Sequence, residues 1–223
     1  MIKACIFDMD GTVVNTINSI AYFANNALSE AGLPSLDTET YKYIIGNGAK
    51  KLVERMLEKV GADNRLFEKV FKKYDTDYDN DFLYLTEPYD GIIDMLEAIR
   101  KKGITIAILS NKPHATTTKI SDALFGDKLI DICYGARDGI ALKPDPEGAF
   151  GILRELGIEK DECLYIGDTS TDMKTGKAAG LYTVGVLWGF RKRDELENNG
   201  ADEIIAHPSE LLDIINKLSL GGN

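Results

Sequence analysis

The chain opens on Ile2-Lys3-Ala4-Cys5-Ile6-Phe7-Asp8-Met9-Asp10-Gly11-Thr12, an apolar segment that gives way abruptly to two carboxylates, a glycine and a hydroxyl. An apolar run without polar alternation is what a parallel strand covered on both faces requires, so this stretch reads as a central strand of an α/β sheet. Asp8 then falls at the carboxyl edge of the sheet, where open α/β sheets bind their ligands. Asp8 and Asp10 are two residues apart and lean the same way in extended backbone, and Gly11 permits a sharp turn after them. Two like charges so placed repel unless a cation or a proton lies between them. A hard divalent cation such as Mg²⁺, held by carboxylates together with a substrate phosphate, suits that requirement. Taken alone, the same residues are equally ordinary turn formers at a strand end.

The pattern that follows constrains the architecture. From Thr16 to about Phe82 four amphipathic helical patterns succeed one another with no strand between them, the first capped by Asn15 or Thr16. After Pro88 the character changes, and helices alternate with the strand patterns 104–110, 130–134, 163–167 and 182–186, with 203–205 extending the series. Such alternation implies right-handed βαβ units and a parallel sheet. The predicted fold is therefore α/β, a Rossmann-like doubly wound parallel sheet with an inserted α-helical cap domain. The core domain is assigned to 1–15 and 85–223, and the cap to 16–84. A length of 223 residues suits this plan, being long for one compact domain and short for two.

A net charge of −10 argues against nucleic acid or an anionic membrane as partner, and means that an anionic substrate needs a local positive feature. No apolar run is long enough to span a bilayer and no signal-peptide pattern is present, so a cytoplasmic location is expected. The three cysteines, Cys5, Cys133 and Cys163, read as buried reduced thiols.

Each later strand also ends in residues able to handle phosphate or metal. The second ends in Ser110-Asn111-Lys112-Pro113 at the start of a helix, a ready anion site, although a helix cap explains it as well. Lys143 lies in Ala141-Leu142-Lys143-Pro144-Asp145-Pro146; a solvated lysine is the commoner case, but the flanking prolines can aim it inward. The fourth ends in Gly167-Asp168-Thr169-Ser170-Thr171-Asp172, where helix capping accounts for one carboxylate but not for two. The ordinary explanation would have to hold at four ends of one sheet at once, whereas a single crevice at the carboxyl edge accounts for all of them.

With these four segments in this order, the chain resembles the haloacid dehalogenase superfamily of phosphohydrolases over nearly its full length. The helical insertion resembles that superfamily's α-helical cap, and Ile45-Gly46-Asn47-Gly48 with Ser110-Asn111-Lys112-Pro113 is most similar to its phosphoglycolate phosphatases. The resemblance implies Asp8 as nucleophile through an aspartyl-phosphate, Asp10 as general acid and base, and Lys143 as the catalytic cation. It implies Mg²⁺ on Asp8, the Asp10 carbonyl and Asp168, with Asp172 ligating through water or orienting those ligands. Ser110, Asn111 and Lys143 would grip the phosphoryl oxygens, and Thr12 would brace the turn by bonding Asp10. Asn47 and Arg55 on the cap loop would close over the site and select the leaving group. The implied partner is a small phosphorylated metabolite, with 2-phosphoglycolate first among candidates and oligomeric state open. A sugar phosphomutase, a pyrophosphatase and a phospho-accepting regulatory domain use related strand ends, but the last has no need of a helical insertion after its acidic turn.

Overall fold

The computed structural model describes residues 1–220. In chain order its elements are β1 (Ala4–Phe7), β2 (Val14–Asn15), α1 (Ile17–Glu30), α2 (Thr38–Ile44), α3 (Ala49–Lys59), α4 (Phe67–Asn80) and β3 (Glu87–Pro88). There follow α5 (Ile92–Lys101), β4 (Thr105–Pro113), α6 (His114–Leu129), β5 (Ile132–Ala136), α7 (Glu147–Leu156), β6 (Cys163–Gly167), α8 (Ser170–Ala179), β7 (Tyr182–Val186), α9 (Arg193–Asn198), β8 (Glu203–Ile205) and α10 (Glu210–Leu220).

Six of the strands form one sheet in the order β5-β4-β1-β6-β7-β8, parallel throughout. All four residues of β1 are buried, because the strand is paired on both sides and covered on both faces. Phe7, Ile106, Ile108 and Ile166 pack with Ile92, Leu96 and Ile99 of α5 on one face, while Ile6, Ala107 and Tyr165 pack with Ala149 and Ile152 of α7 on the other. The chain runs from β1 to β4 and β5 on one side, then returns to β6 on the other. The strand order thus reverses at β1, which places a crevice just beyond its carboxyl end. Asp8 is the first residue there.

The four helices α1 to α4 carry a separate apolar cluster that includes Ile17, Phe23, Leu28, Tyr41, Val53, Met56 and Val70. The chain leaves the sheet for these helices through β2 and comes back through β3, and the two pair antiparallel, Val14 with Pro88 and Asn15 with Glu87. Sequence patterning missed this clasp, because two residues are too few to show a period.

Smaller differences have local causes. Strand β4 runs through Pro113 instead of stopping at Ser110, and β5 starts at Ile132 instead of Ile130. The Thr16 side chain does not cap α1, because its hydroxyl donates to Asp10 instead. Cys5 and Cys163 are buried and Cys133 is half-buried, all three as free thiols. Among the described residues no helix is long and apolar enough to cross a membrane.

Candidate active site

Asp8 follows directly on β1, and its backbone N–H donates to the Ile166 carbonyl (2.9 Å), so the β1–β6 ladder carries through the residue and holds it. Its Oδ1 accepts from the Met9 N–H (2.7 Å) and lies 2.7 Å from Lys143 Nζ. That leaves Oδ2 with no protein donor among the described residues. Burial pushes the Asp8 carboxyl well above the usual carboxylate range; Asp172 and Asp168 add to the rise, and Lys143 opposes it.

Lys143 reaches the same point from the loop after β5. Its Nζ lies 2.7 Å from both Asp8 Oδ1 and Asp172 Oδ1, with 3% of the side chain exposed. Burial disfavours the ammonium, but Asp172 and Asp8 outweigh that and hold its pKa well above the ordinary lysine value. Asn111 fixes the Lys143 backbone: its amide nitrogen donates to the Lys143 carbonyl (3.0 Å) and its Oδ1 accepts the Lys143 N–H (2.8 Å). The amide also donates to the Gly46 carbonyl of the cap loop (3.0 Å). Both amide hydrogens are thus directed at carbonyls, so this carboxamide braces the loop that carries Lys143, whereas the sequence led us to expect donors free for phosphoryl oxygens. Ser110 lines the cavity beside it, its hydroxyl accepting the Lys112 N–H at 3.2 Å.

Asp10 is held differently from the sequence expectation. Thr16 donates to its Oδ1 (2.7 Å), whereas Thr12 donates to Asp168 Oδ1 (3.1 Å). The tight turn through Gly11 points Thr12 across the crevice toward β6, where it is fully buried. Lys112 also faces Asp10, its Nζ 3.3 Å from the same oxygen as an ion pair and donating to the Tyr78 hydroxyl at 2.9 Å. Lys112 went unassigned in the sequence reading, although its place next to Ser110-Asn111 was the signal that could have found it.

Asp168 and Asp172 come from the loop and first turn after β6. Asp168 Oδ2 accepts the Phe190 N–H (2.8 Å), from the loop after β7, which sequence reasoning also missed. Burial first and Asp172 second push the Asp168 carboxyl up to about 7, against the pull of the Phe190 N–H and the Thr12 hydroxyl. Asp172 Oδ2 accepts from Thr169 N (3.1 Å) and Oγ1 (2.6 Å), a capping box that makes Thr169 the N-cap of α8 and leaves Oδ1 to Lys143. Close backbone approach makes this possible: a Cβ on Gly189 would sit 2.3 Å from the Gly11 carbonyl and 2.4 Å from Asp168 Cβ. Gly189→Ala is therefore expected to lower stability by about 1–3 kcal/mol, the usual range for overpacking. A denaturation midpoint equal to that of the wild type would contradict this placement.

A cavity lies between the sheet edge and the helices α1 to α4, with Asp8, Asp10, Ser110, Asn111, Lys112 and Lys143 on its floor and Ile20, Leu52, Tyr74 and Tyr78 on the helical side. Asn47 and Arg55 do not line it. Arg55 donates to the Ile44 carbonyl (2.9 Å) and Asn47 Oδ1 (2.8 Å), and both residues line a separate polar cavity with Thr171 and Arg191. Held by these bonds, Arg55 lies outside the cavity above Asp8, where it was expected to meet a leaving group.

Asp8, Asp168 and Asp172 each bring an oxygen within 4.8 Å of the others', all three buried. With Asp10 the site gathers four carboxyl groups, and the cations in contact with them are the ammonium groups of Lys143 and Lys112. A buried donor set made wholly of carboxylate oxygens, with no thiol or imidazole among them, fits a hard divalent cation such as Mg²⁺.

A family model described as haloacid dehalogenase-like hydrolase matches residues 5–186. An N-acetylmuramic acid 6-phosphate phosphatase of Pseudomonas aeruginosa is 30% identical over 217 residues, covering 97% of this chain and 96% of that protein. A phosphoglycolate phosphatase of Aquifex aeolicus is 31% identical over 213 residues, covering 96% of each. A solved structure from Lactobacillus delbrueckii subsp. bulgaricus, whose description proposes a phosphoglycolate phosphatase, is 29% identical, covers 96% of this chain and 98% of that one, and superposes with a TM-score of 0.89. The doubly wound sheet, the acidic crevice at its switch point and these matches agree: the chain belongs to the haloacid dehalogenase-like hydrolase family.

Proposed function

We propose that this protein is a Mg²⁺-dependent phosphomonoester hydrolase acting on a small phosphorylated metabolite through an aspartyl-phosphate on Asp8. The observation that carries the reading is the buried Asp8–Lys143–Asp172 chain, both contacts 2.7 Å, at the floor of a cavity under the cap helices. Asp8 Oδ2 attacks phosphorus, the bond to the ester oxygen breaks, and Asp10 gives that oxygen its proton. Asp10 Oδ1 takes the Thr16 hydrogen bond and faces the Lys112 ammonium, so the proton is carried on Oδ2. Asp10 then takes a proton from water, whose oxygen attacks phosphorus and frees Asp8. Lys143 steadies the attacking carboxylate and, with Ser110, the phosphoryl oxygens. Asp8, Asp168, Asp172 and the Asp10 carbonyl would hold Mg²⁺, which would supply the remaining positive charge for the transferring group. Residues 16–84 act as the cap domain that covers the cavity and excludes water.

Two of the relatives' names supply the leaving groups to try first, with glycolate, from 2-phosphoglycolate, ahead of N-acetylmuramic acid. The test is phosphate release from a broad phosphomonoester panel with Mg²⁺. Turnover that chelation stops and Mg²⁺ restores supports the reading; a panel with no phosphate released removes it.

The Asp168 carboxyl, pushed up to about 7, adds a pH signature. With no cation bound, the folded state keeps a proton that the unfolded chain gives up near pH 4, so stability falls as pH rises from there through about 7. Cation and proton compete for the same oxygens. The melting-temperature gain on adding Mg²⁺ is therefore expected to be larger near pH 8 than near pH 5.5. An equal gain at both would contradict a buried carboxylate cluster as the site.

A further inference from the structure

A second cavity, separate from the one above Asp8, lies where the segment around α2 and α3 meets the start of α8 and the loop after β7. Asn47 and Arg55 line it from one side, and Ser170, Thr171 and Arg191 from the other. Two guanidinium groups are thus drawn to one place in a chain whose net charge is −10. Among the described residues of the lining, Glu195 is the one acid, and it is shared. Its Oε1 accepts the Ser170 N–H (3.2 Å) and its Oε2 lies 3.2 Å from Arg191 Nε. Arg55 has no carboxylate partner among the described residues; its terminal nitrogens donate to the Ile44 carbonyl (2.9 Å) and to Asn47 Oδ1 (2.8 Å). Arg191, with 9% of its side chain exposed, also donates to the Lys42 carbonyl. These bonds hold both guanidinium groups in place without using all of their N–H groups. A cation set against neutral oxygens has kept its attraction for an anion, and a planar guanidinium is the side chain best shaped to receive an oxyanion.

We propose that this cavity is a second anion site, which takes inorganic phosphate between Arg55 and Arg191 and so ties the α2–α3 segment to the sheet. A tetrahedral oxyanion presents acceptor oxygens in several directions, as donors from two separate segments require. The crevice around Asp8 is the contrasting case: with no cation bound, its buried carboxyl cluster disfavours an anion, so phosphate taken up in chelator reports on the second cavity. Binding there does not depend on the phosphatase reading. Under that reading phosphate is the product released, and its seat between the two segments makes them harder to part as product accumulates.

The experiment follows the melting temperature of the protein in chelator as inorganic phosphate is added, with ionic strength held constant by chloride, for wild type, Arg55→Gln and Ser170→Asp. Wild type is expected to respond along a saturating curve with half-saturation on the order of 1 mM, within reach of two charge-assisted contacts. Arg55→Gln is expected to weaken half-saturation at least about tenfold, the usual effect of losing a hydrogen bond to a charged group. Ser170→Asp breaks none of the bonds above and adds a carboxylate to the lining, so the saturating response is expected to vanish there too. Phosphate also stabilises folded proteins by exclusion from their surfaces, an effect common to all three chains. A wild type that responds no more than the variants would therefore overturn the inference. So would a response to ethyl phosphate without one to inorganic phosphate, which would give the cavity to a phosphorylated metabolite in place of the free ion. No turnover enters these measurements, so their failure leaves the phosphatase reading to be decided by the ester panel alone.

Discussion

Asp8→Asn leaves the protein folded and phosphate release lower by about 10⁴-fold or more, because no other group can replace a nucleophile whose reaction is among the slowest known uncatalysed. The substitution is nearly isosteric, and the asparagine oxygen can still accept the Met9 N–H that now meets Asp8 Oδ1. It is also expected to raise the melting temperature of the protein measured in chelator. Asp8 is one of three buried carboxylates within 4.8 Å of one another, and its pKa is raised by burial and by its neighbours, so its charged form costs stability at neutral pH. Loss of activity together with a gain in metal-free stability is the signature of a strained functional carboxylate. A merely structural one would show the reverse.

Lys143→Met has the opposite effect on stability. The wild-type ammonium neutralises Asp8 and Asp172 at 2.7 Å each with 3% of its side chain exposed, and a methionine in its place leaves both carboxylates buried without their counterion. Removing one partner of such a buried network costs about 3–5 kcal/mol, here with loss of turnover as well. The penalty shrinks as pH falls, because the two carboxyls can then take up protons. Denaturant titrations of the variant and wild type in chelator, at neutral and at mildly acidic pH, measure both statements. A variant as stable as wild type at neutral pH would show that the Lys143 charge is not needed there.

These expectations rest on features that were legible in the sequence to different degrees. The sheet was readable because β1, β4 and β6 are apolar runs, buried on both faces, and a strand's carboxyl end is then a definite place at which Asp8, Ser110 and Asp168 must appear. The helical insertion was readable because its core positions Ile20, Leu28, Val53, Met56 and Val70 recur at helical spacing. Side-chain direction was not readable. Thr12 and Thr16 are both hydroxyls near Asp10, and only the turn at Gly11 decides that Thr16 bonds it while Thr12 crosses to Asp168. Arg55 lies on a helix whose face was clear, but its long stem carries the guanidinium back to Ile44 and Asn47, and no period encodes that. The Phe190 N–H that holds Asp168 is a backbone group in a loop without pattern, and Gly189 beside it was the one hint.

The most direct measurement of the central claim is a rapid acid quench of the Mg²⁺-loaded protein during turnover of an ester it hydrolyses, followed by mapping of the peptides. The account expects one phosphoryl group on the peptide that carries Asp8, appearing no slower than the first turnover and absent from Asp8→Asn. Phosphate release at the full rate with no phosphoryl group on Asp8 at any time point would contradict it.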